Sequence, residues 1–188
     1  MRSLIAINLP DAVKREVDSI VDRLRPTGPP ARWVPGENLH LTLKFLDEIS
    51  SDQVMPIRGA ITMASSNLQP FDIKLSGFGV FPNERKARVF WIGIAQGYET
   101  LKNLAREIDR VVSPLGFPRE AREFSAHVTL ARFREPGPVD RLMKAVAHIP
   151  FQSETIRISS IELMKSVLSP RGAEYSVLES VRLSLLTP

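Results

Sequence analysis

The 188-residue sequence contains no cysteine. This absence excludes disulfide bonds, thiolate metal sites, iron–sulfur clusters and cysteine nucleophiles. Long hydrophobic runs are also missing, since no apolar stretch approaches the roughly 18 residues typical of a membrane-spanning helix. The N-terminal stretch MRSLIAINLP is interrupted by Pro10 too early for a signal peptide. We therefore expect a soluble, cytoplasmic protein that makes no membrane contact.

The composition that remains is that of a globular protein, with 43% hydrophobic and 24% charged residues. The length fits one domain, or two small lobes that share a core. The net charge is +4, and 18 arginines stand against 7 lysines. Arginine matches phosphate oxygens with a planar donor fork, so the surface suits a nucleic acid or nucleotide. A GC-rich genome and solvated faces would explain the same bias.

An order of strand, helix, strand, helix and strand occurs twice along the chain. Alternating or continuous apolar residues predict strands at 3–9, 39–46, 71–75, 87–94, 125–133, 155–164 and 173–183, the last after a turn at 169–172. Leu4 lies 36 residues before His40, and Val89 lies 38 residues before His127. The similar spacing indicates two repeats of about 80 residues in one two-lobed α+β protein.

Two of the three histidines share a four-residue pattern, His-Leu-Thr-Leu at His40 and His-Val-Thr-Leu at His127. On a strand, residues i and i+2 point to the same face about 6.6 Å apart. Each histidine should therefore project together with Thr42 or Thr129, while the apolar residues between them are buried. If a two-fold axis relates the lobes, the two pairs can face each other across a cleft.

Such a pair of imidazoles suits phosphodiester hydrolysis. Histidine has a pKa near 6.5, so one neutral ring can accept a proton from water while one protonated ring supplies the leaving oxygen. The threonine hydroxyls can donate hydrogen bonds to the non-bridging phosphate oxygens. Alternatively, the two residues are half-buried strand histidines that bond to their own threonines.

Zinc binding is a second alternative, because two histidines from symmetric strands could ligate the ion. A catalytic zinc usually has three protein ligands. Asp47 and Glu48 lie past the end of the first motif strand, and His148 is expected on the surface at a helix end. We therefore expect neither a metal nor any other cofactor.

The segments NLHLTLKFL (38–46) and FSAHVTLAR (124–132) resemble the paired HxTx signatures of the 2H phosphoesterase superfamily. Within it, nearly the whole chain is similar to the RNA 2′,3′-cyclic phosphodiesterases, historically called 2′-5′ RNA ligases. Ala126 stands where the family often has proline, and Asp47 stands where it often has glycine. Neither departure touches a motif histidine or threonine.

The resemblance implies a bilobal α+β fold, in which two antiparallel sheets line a central cleft and the helices lie outside. It implies a single domain over 1–188, made of intertwined repeats at 3–79 and 87–165. The implied reaction opens the 2′,3′-cyclic phosphate at an RNA 3′ end to leave a 2′-phosphate. The implied partner is RNA or an oligonucleotide with that end, and we expect the protein to be a monomer.

Residue roles carry over from the resemblance position by position. His40 is the proton donor to the leaving oxygen, and His127 is the proton acceptor from water. Thr42 and Thr129 are phosphate-binding hydroxyls, and Arg132, five residues after the second histidine, is a further phosphate-binding group or forms a surface salt bridge. A regular strand would put Arg132 on the face opposite His127, so a twist or bulge after Ala131 would be required.

Four further residues have two interpretations each. Trp33 could stack a base or anchor a loop on the core, and Tyr175 could line the cleft or serve packing. Arg119 and Arg122 could guide RNA or lie in a solvated loop. Two alternative functions also remain: a phosphodiesterase or ligase acting on 2′-5′ linked oligonucleotides or other cyclic nucleotides, and a catalytically silent RNA- or nucleotide-binding module.

Overall fold

The computed structural model describes residues 1–169 and 172–184, so Pro170 and Arg171 of the predicted 169–172 turn lie outside the described residues. These residues form four α-helices: α1 (Asp11–Leu24), α2 (Val54–Ala64), α3 (Tyr98–Val112) and α4 (Asp140–Ala147). The strands are β1 (Arg2–Asn8), β2 (Ala31–Trp33), β3 (His40–Glu48), β4 (Phe71–Phe81), β5 (Ala87–Gln96), β6 (His127–Gly137), β7 (Ile156–Ile158), β8 (Ser160–Ser169) and β9 (Gly172–Arg182). None of these helices is long and apolar enough to cross a membrane.

Helix α1 shows how local sequence sets an element. Pro10 precedes its first turn, where Asp11 complements the positive end of the helix dipole. Five of its apolar side chains recur at helical spacing and are buried: Val13, Val17, Ile20, Val21 and Leu24. Full burial of each such side chain contributes about 1.5–3 kcal/mol. The helix therefore packs against the sheet through one stripe.

The strands form one curled antiparallel path in the order β7-β4-β5-β6-β3-β1-β8-β9, with β2 beside β6. Two four-stranded halves meet where β3 joins β6, through the pair Leu41 and Val128. The helices cover the outside of this sheet, so the predicted α+β class with outer helices is confirmed. The two antiparallel sheets that were predicted are the two halves of one continuous sheet.

Each half of the sheet contains strands from the other part of the chain. β4 follows α2 in sequence but pairs with β5, and β8 follows α4 but pairs with β1. A single residue, Ser159, separates β7 at one edge of the sheet from β8 in the other half. The two halves are therefore linked by the path of the chain as well as by the β3–β6 contact.

The two faces of the sheet have different packing. Ile5 and Ile7 of β1 lie in the main hydrophobic core under the helices. Leu4 and Ala6 point the opposite way and form a small separate cluster with Met164, against which Tyr175 packs. Thr42 pairs with Ala6 and His40 pairs with Asn8. The motif side chains therefore occupy the face away from the helices, which we call the cleft face.

Some elements differ from the sequence prediction. Residues 31–33, expected in a loop, pair with β6 as β2, because Val34 N–H also donates to the Leu130 carbonyl and holds the segment there. The predicted strand at 155–164 is divided into β7 and β8, which lie in different parts of the sheet. Both differences arise from long-range pairing that a local pattern does not contain.

Candidate active site

The two histidine–threonine pairs lie side by side on neighbouring strands. Because Leu41 pairs with Val128 in an antiparallel ladder, His40 stands opposite Thr129 and Thr42 stands opposite His127. The two histidines are then diagonal neighbours, about 7–8 Å apart at their Cα atoms. Leu41 and Val128 are fully buried, whereas all four motif side chains are half-buried on the cleft face. The structure therefore brings together the four residues that the pattern selected.

A β-bulge follows each motif at the same position. Ala6 pairs with Thr42 and Ile5 with Lys44, so Leu43 is an extra residue in β3. Trp91 pairs with Thr129 and Phe90 with Ala131, so Leu130 is the extra residue in β6. A bulge reverses the alternation of the side chains after it. Regular alternation from His40 onward would put Lys44 on the face of the histidine and Phe45 on the opposite face, but the bulge exchanges them: Phe45 is 52% exposed and Lys44 is 4% exposed.

The second bulge also places Arg132. The bulge is at Leu130, one residue earlier than the predicted position after Ala131. After it, Ala131 is buried, and Arg132 is exposed on the cleft face with His127 and Thr129. The guanidinium lies close enough to both rings to lower the pKa of each. The bulge therefore brings Arg132 to the same face as the motif residues, which regular side-chain alternation would not do.

Each imidazole is oriented by a backbone carbonyl two residues earlier in the chain. His40 Nδ1 lies 2.7 Å from the Asn38 oxygen, and His127 Nδ1 lies 2.7 Å from the Ser125 oxygen. A carbonyl only accepts, so Nδ1–H must donate in both cases. This tautomer leaves Nε2 of each ring as the nitrogen that can accept or release a proton.

The environment lowers the pKa of both rings below 6.5. For His40, burial is the largest cause, the Asn38 carbonyl opposes it, and Lys14 and Arg132 lower it further. For His127, burial again comes first, the Ser125 carbonyl opposes it, and Arg132 adds to the lowering. Both rings in the free protein therefore favour the neutral form at pH 7, and an anion between them would favour protonation.

Arg32 is a cleft residue that the sequence analysis missed. It pairs with Arg132 across β2 and β6, and both arginines are exposed. Residues directly opposite each other share one face of a sheet, and like charges there are destabilising. An anion between the two guanidinium groups would remove that repulsion. The only sequence signal was the general excess of arginine, because the segment showed no strand pattern.

Aromatic rings contact the two histidines from opposite sides of the cleft. Tyr175 meets His40 edge to face with ring centroids 4.6 Å apart, and Phe81 meets His127 in the same way at 5.0 Å. Trp91 lies 6.2 Å from His127, over Gly79. A Cβ atom at Gly79 would overlap the indole, so glycine is required for this close approach. Tyr175 thus lies against a motif residue as well as the small apolar cluster.

A buried ion pair connects β3 to the loop that precedes His127. Lys44 Nζ donates to Asp109 of α3 at 2.7 Å and to the Pro118 carbonyl at 2.6 Å. Arg119 Nε donates to the other oxygen of Asp109 at 2.7 Å. Burial raises the pKa of Asp109, but the hydrogen bonds from Lys44, Arg119 and the Glu120 amide outweigh it and lower the pKa. Arg119 is therefore engaged in holding the loop.

Other candidate residues have structural contacts instead. Trp33 packs against Phe90 at 6.0 Å in the main core, with the Arg25 guanidinium 5.9 Å from its ring. His148 is exposed at the end of α4. Within residues 1–169 and 172–184, no three His, Asp or Glu side chains are grouped closely enough to hold a metal ion.

Asp47 explains one departure from the family pattern. Its φ is 55°, in the left-handed region that favours glycine, which is the residue that the family resemblance leads us to expect here. Aspartate is among the few other residues that adopt this conformation at modest cost. Asp47 pairs with Ser3 beside a second register shift between β1 and β3, so this left-handed position within β3 is kept without glycine.

A curled antiparallel sheet with outer helices and two matched His–Thr pairs defines a 2H phosphoesterase. Comparison with known families places the chain further: the family described as "LigT like Phosphoesterase" matches residues 7–91 and again 92–175. The chain belongs to this family, as the resemblance predicted.

Relatives of similar length share about a third of their residues with this chain. A Methanothermobacter thermautotrophicus protein named RNA 2′,3′-cyclic phosphodiesterase is 31% identical, over 97% of this chain and 99% of its own. An Aeropyrum pernix protein of the same name is 34% identical over 86% and 91%. A crystal structure of a Thermus thermophilus protein superposes with a TM-score of 0.75, at 28% identity over 97% and 98% of the chains. Escherichia coli LigT, 23% identical over 98% of both chains, shares the fold with a TM-score of 0.71.

Proposed function

We propose that this protein hydrolyses the 2′,3′-cyclic phosphate at RNA 3′ ends to a 2′-phosphomonoester, without a metal. The observation that carries the proposal is the matched pair of motifs, with both Nε2 atoms left free on one face of neighbouring strands. The names of the relatives support the choice of substrate.

In the proposed reaction, His127 acts as the base and His40 as the acid. His127 Nε2 takes a proton from a water molecule whose oxygen forms the new bond to phosphorus. The bond from phosphorus to the ribose O3′ breaks, and His40 Nε2 gives its proton to that oxygen. The products are a 2′-phosphate and a free 3′-hydroxyl. Each proton transfer typically contributes ~10²–10⁴-fold to the rate.

The remaining cleft residues would hold the phosphate. Thr42 and Thr129 donate from opposite strands to the two non-bridging oxygens, and Arg132 neutralises the charge that these oxygens carry in the transition state. Arg132 also favours binding of the anion that raises the pKa of His40, so substrate binding itself helps to protonate the acid. Arg32 would attract the adjoining RNA backbone.

The test is hydrolysis of an oligonucleotide with a 2′,3′-cyclic phosphate end, in the presence of EDTA, by the wild type and by His40→Ala and His127→Ala. We expect the wild type to be active and each variant to lose ~10²-fold or more. Full activity of either variant, or a wild type inhibited by EDTA, would contradict the mechanism. His148→Ala, an exposed histidine outside the cleft, is the matched control.

The two histidine roles can be separated with bis(4-nitrophenyl) phosphate, whose leaving phenolate needs no proton. We expect His40→Ala to retain most wild-type activity on this compound and His127→Ala to lose it. The opposite result would exchange the two roles. Assays with 2′-5′ linked oligonucleotides and with other cyclic nucleotides identify the substrate class. A protein that binds these compounds and hydrolyses none of them would be a catalytically silent binding module.

A further inference from the structure

A cavity of about 260 Å³ lies at the end of β1, where the chain passes from β7 to β8. Four of its polar lining residues are Asn8, Arg157, Ser160 and Glu162. Its volume is below the roughly 300–1,000 Å³ of pockets for drug-sized ligands. The cavity therefore suits one small ring system rather than an extended ligand.

Glu162 gives this cavity an unused acceptor. The residue is 7% exposed, and its Oε1 accepts a hydrogen bond from Ser160 Oγ at 2.6 Å. Its Oε2 is buried and has no hydrogen-bond partner among the described residues. An unpaired buried acceptor is costly, so such groups usually have a partner. The free oxygen thus points to a ligand that brings an N–H or O–H donor.

The cavity borders the candidate active site. Asn8 stands opposite His40, and Ala6 pairs with both Thr42 and Glu162. Glu162 and Thr42 therefore lie on the same cleft face, separated by two strand spacings of about 4.8 Å. A nucleoside whose phosphate lies at the histidines can place its base at this distance.

We propose that the cavity is a nucleobase subsite that recognises guanine at the 3′-terminal position, an inference that rests on the proposed function. Guanine presents the O6 acceptor and the N2 amino donor, with the N1–H donor between them. Glu162 Oε2 accepts from the donor edge. Arg157, whose Nη1 lies 3.1 Å from Asp72 Oδ1, has further N–H groups that donate to O6. Adenine has an amino group in place of O6, which faces the arginine donors without an acceptor.

The experiment compares kcat/KM for guanosine, inosine, adenosine, uridine and cytidine 2′,3′-cyclic monophosphates. We expect the wild type to prefer guanosine by about tenfold to a hundredfold, the discrimination typical of a paired base contact. Inosine, which keeps N1–H and O6 but lacks the amino group, should fall between guanosine and adenosine. Glu162→Gln should lower the guanosine value towards that of adenosine and leave adenosine nearly unchanged.

Two further variants keep the inference falsifiable. Glu179→Gln removes a carboxylate that pairs with Arg58 near α2, at the neighbouring strand β9, and should preserve the base preference. Arg157→Gln alters a 57% exposed side chain, so it should fold and should weaken guanosine selectively. Equal kcat/KM values for all bases, or a loss by the same factor for every base, would overturn the subsite and leave water as the partner of Glu162.

Failure of the subsite and failure of the proposed function give different results. Calorimetric titration with guanosine and adenosine 2′-monophosphates measures base recognition without turnover. Guanine-selective binding that Glu162→Gln abolishes, in a protein that hydrolyses none of the cyclic phosphates, would retain the subsite and reject the activity. Hydrolysis of all cyclic phosphates without base selectivity, in kcat/KM or in binding, would retain the activity and reject the subsite.

Discussion

The two motif strands share one backbone arrangement and differ in the side chains that come after the bulge. β3 and β6 each have a histidine bonded to a carbonyl two residues back, a threonine at i+2 and a leucine bulge at i+3. At i+4 the first strand has Lys44 and the second has Ala131, both buried. At i+5 the first has Phe45 and the second has Arg132, both exposed on the cleft face. The shared positions hold the histidines and threonines of the two motifs. The positions that differ hold the buried Lys44 in one half and Arg132, which we assign to phosphate binding, in the other.

The largest effect should come from the i+4 position, where only the first strand carries a charge. Lys44→Met leaves Asp109 with Arg119 and the Glu120 amide as its hydrogen-bond donors, and it removes the bond from Lys44 to the Pro118 carbonyl in the loop before His127. We expect a loss on the order of 3 kcal/mol in the free energy of unfolding, because removal of Lys44 leaves the buried Asp109 carboxylate with a less compensated charge. Urea unfolding of the variant measures this loss.

Lys102→Met is the control, because its ion pair with Glu123 is on the surface. It should change the free energy of unfolding very little. A loss below about 1 kcal/mol for Lys44→Met would contradict the anchoring role.

Because the pKa of Asp109 is lowered by folding, the stability it contributes is present above the ordinary pKa of aspartate. That contribution should be lost as the pH falls through the lowered value.

Substitutions at the i+5 position should affect catalysis differently in the two strands, β3 and β6. Arg132→Met removes the charge that we assign to the phosphate, and we expect kcat/KM for a cyclic phosphate to fall by about 10²-fold. Phe45→Ala, at the equivalent position of β3, should change kcat/KM only a few-fold. Steady-state assays of both variants decide the matter, and equal losses would show that the two positions do not differ in function.

The aromatic environment also differs between the halves, because His40 meets Tyr175 whereas His127 meets Phe81 and lies near Trp91, which packs over Gly79. Gly79→Ala places a Cβ atom in the space of the Trp91 indole, so either the ring or the strand must move. We expect a loss of about 1–3 kcal/mol in the free energy of unfolding, together with altered tryptophan fluorescence.

Gly59→Ala tests the same substitution where it meets no neighbouring atom, in α2. Alanine in a helix interior should raise the free energy of unfolding by roughly 0.5–1 kcal/mol. Similar effects at both glycines would show that Trp91 does not depend on Gly79.

The smallest effects concern the pKa values of the two rings. Both lie below 6.5 in the free protein, so both rings should gain protons only as the pH falls below that value. Arg132→Gln should raise the pKa of both rings, whereas Lys14→Gln should raise that of His40 alone, because Lys14 acts on His40 only. Imidazole proton resonances followed by NMR against pH measure the pKa of each ring. Equal shifts of His40 and His127 in Lys14→Gln would contradict the difference between the halves.

Much of the fold could be predicted from local patterns. The apolar stripe of α1 and the alternation of 39–43 needed no tertiary information, and the α+β class and family were confirmed. The interpretation as intertwined repeats at 3–79 and 87–165 stays a prediction, as do the roles of His40, His127, Thr42, Thr129 and Arg132. Their proximity is a property of the structure, and their chemistry awaits the variants described above.

Three features of the site could not be read from the sequence. Leu43 and Leu130 look like ordinary strand residues, so the bulges that bury Lys44 and expose Arg132 were invisible. Arg32 became a cleft residue only through the pairing of β2 with β6. Each depends on which distant strand lies alongside, and strand pairing is not encoded in a local period.

The sequence by itself determined the chemistry that is possible. Without cysteine and with only three histidines, two His-x-Thr-x segments are almost the sole groups able to move protons at neutral pH, and the two-residue period of a strand puts each histidine beside its threonine. The tertiary structure decided how these groups combine. Antiparallel pairing sets the diagonal between the rings, the bulges select which later side chains reach the cleft, and the passage from β7 to β8 brings Glu162 beside it. Those choices belong to the fold because they depend on contacts between residues far apart in the chain.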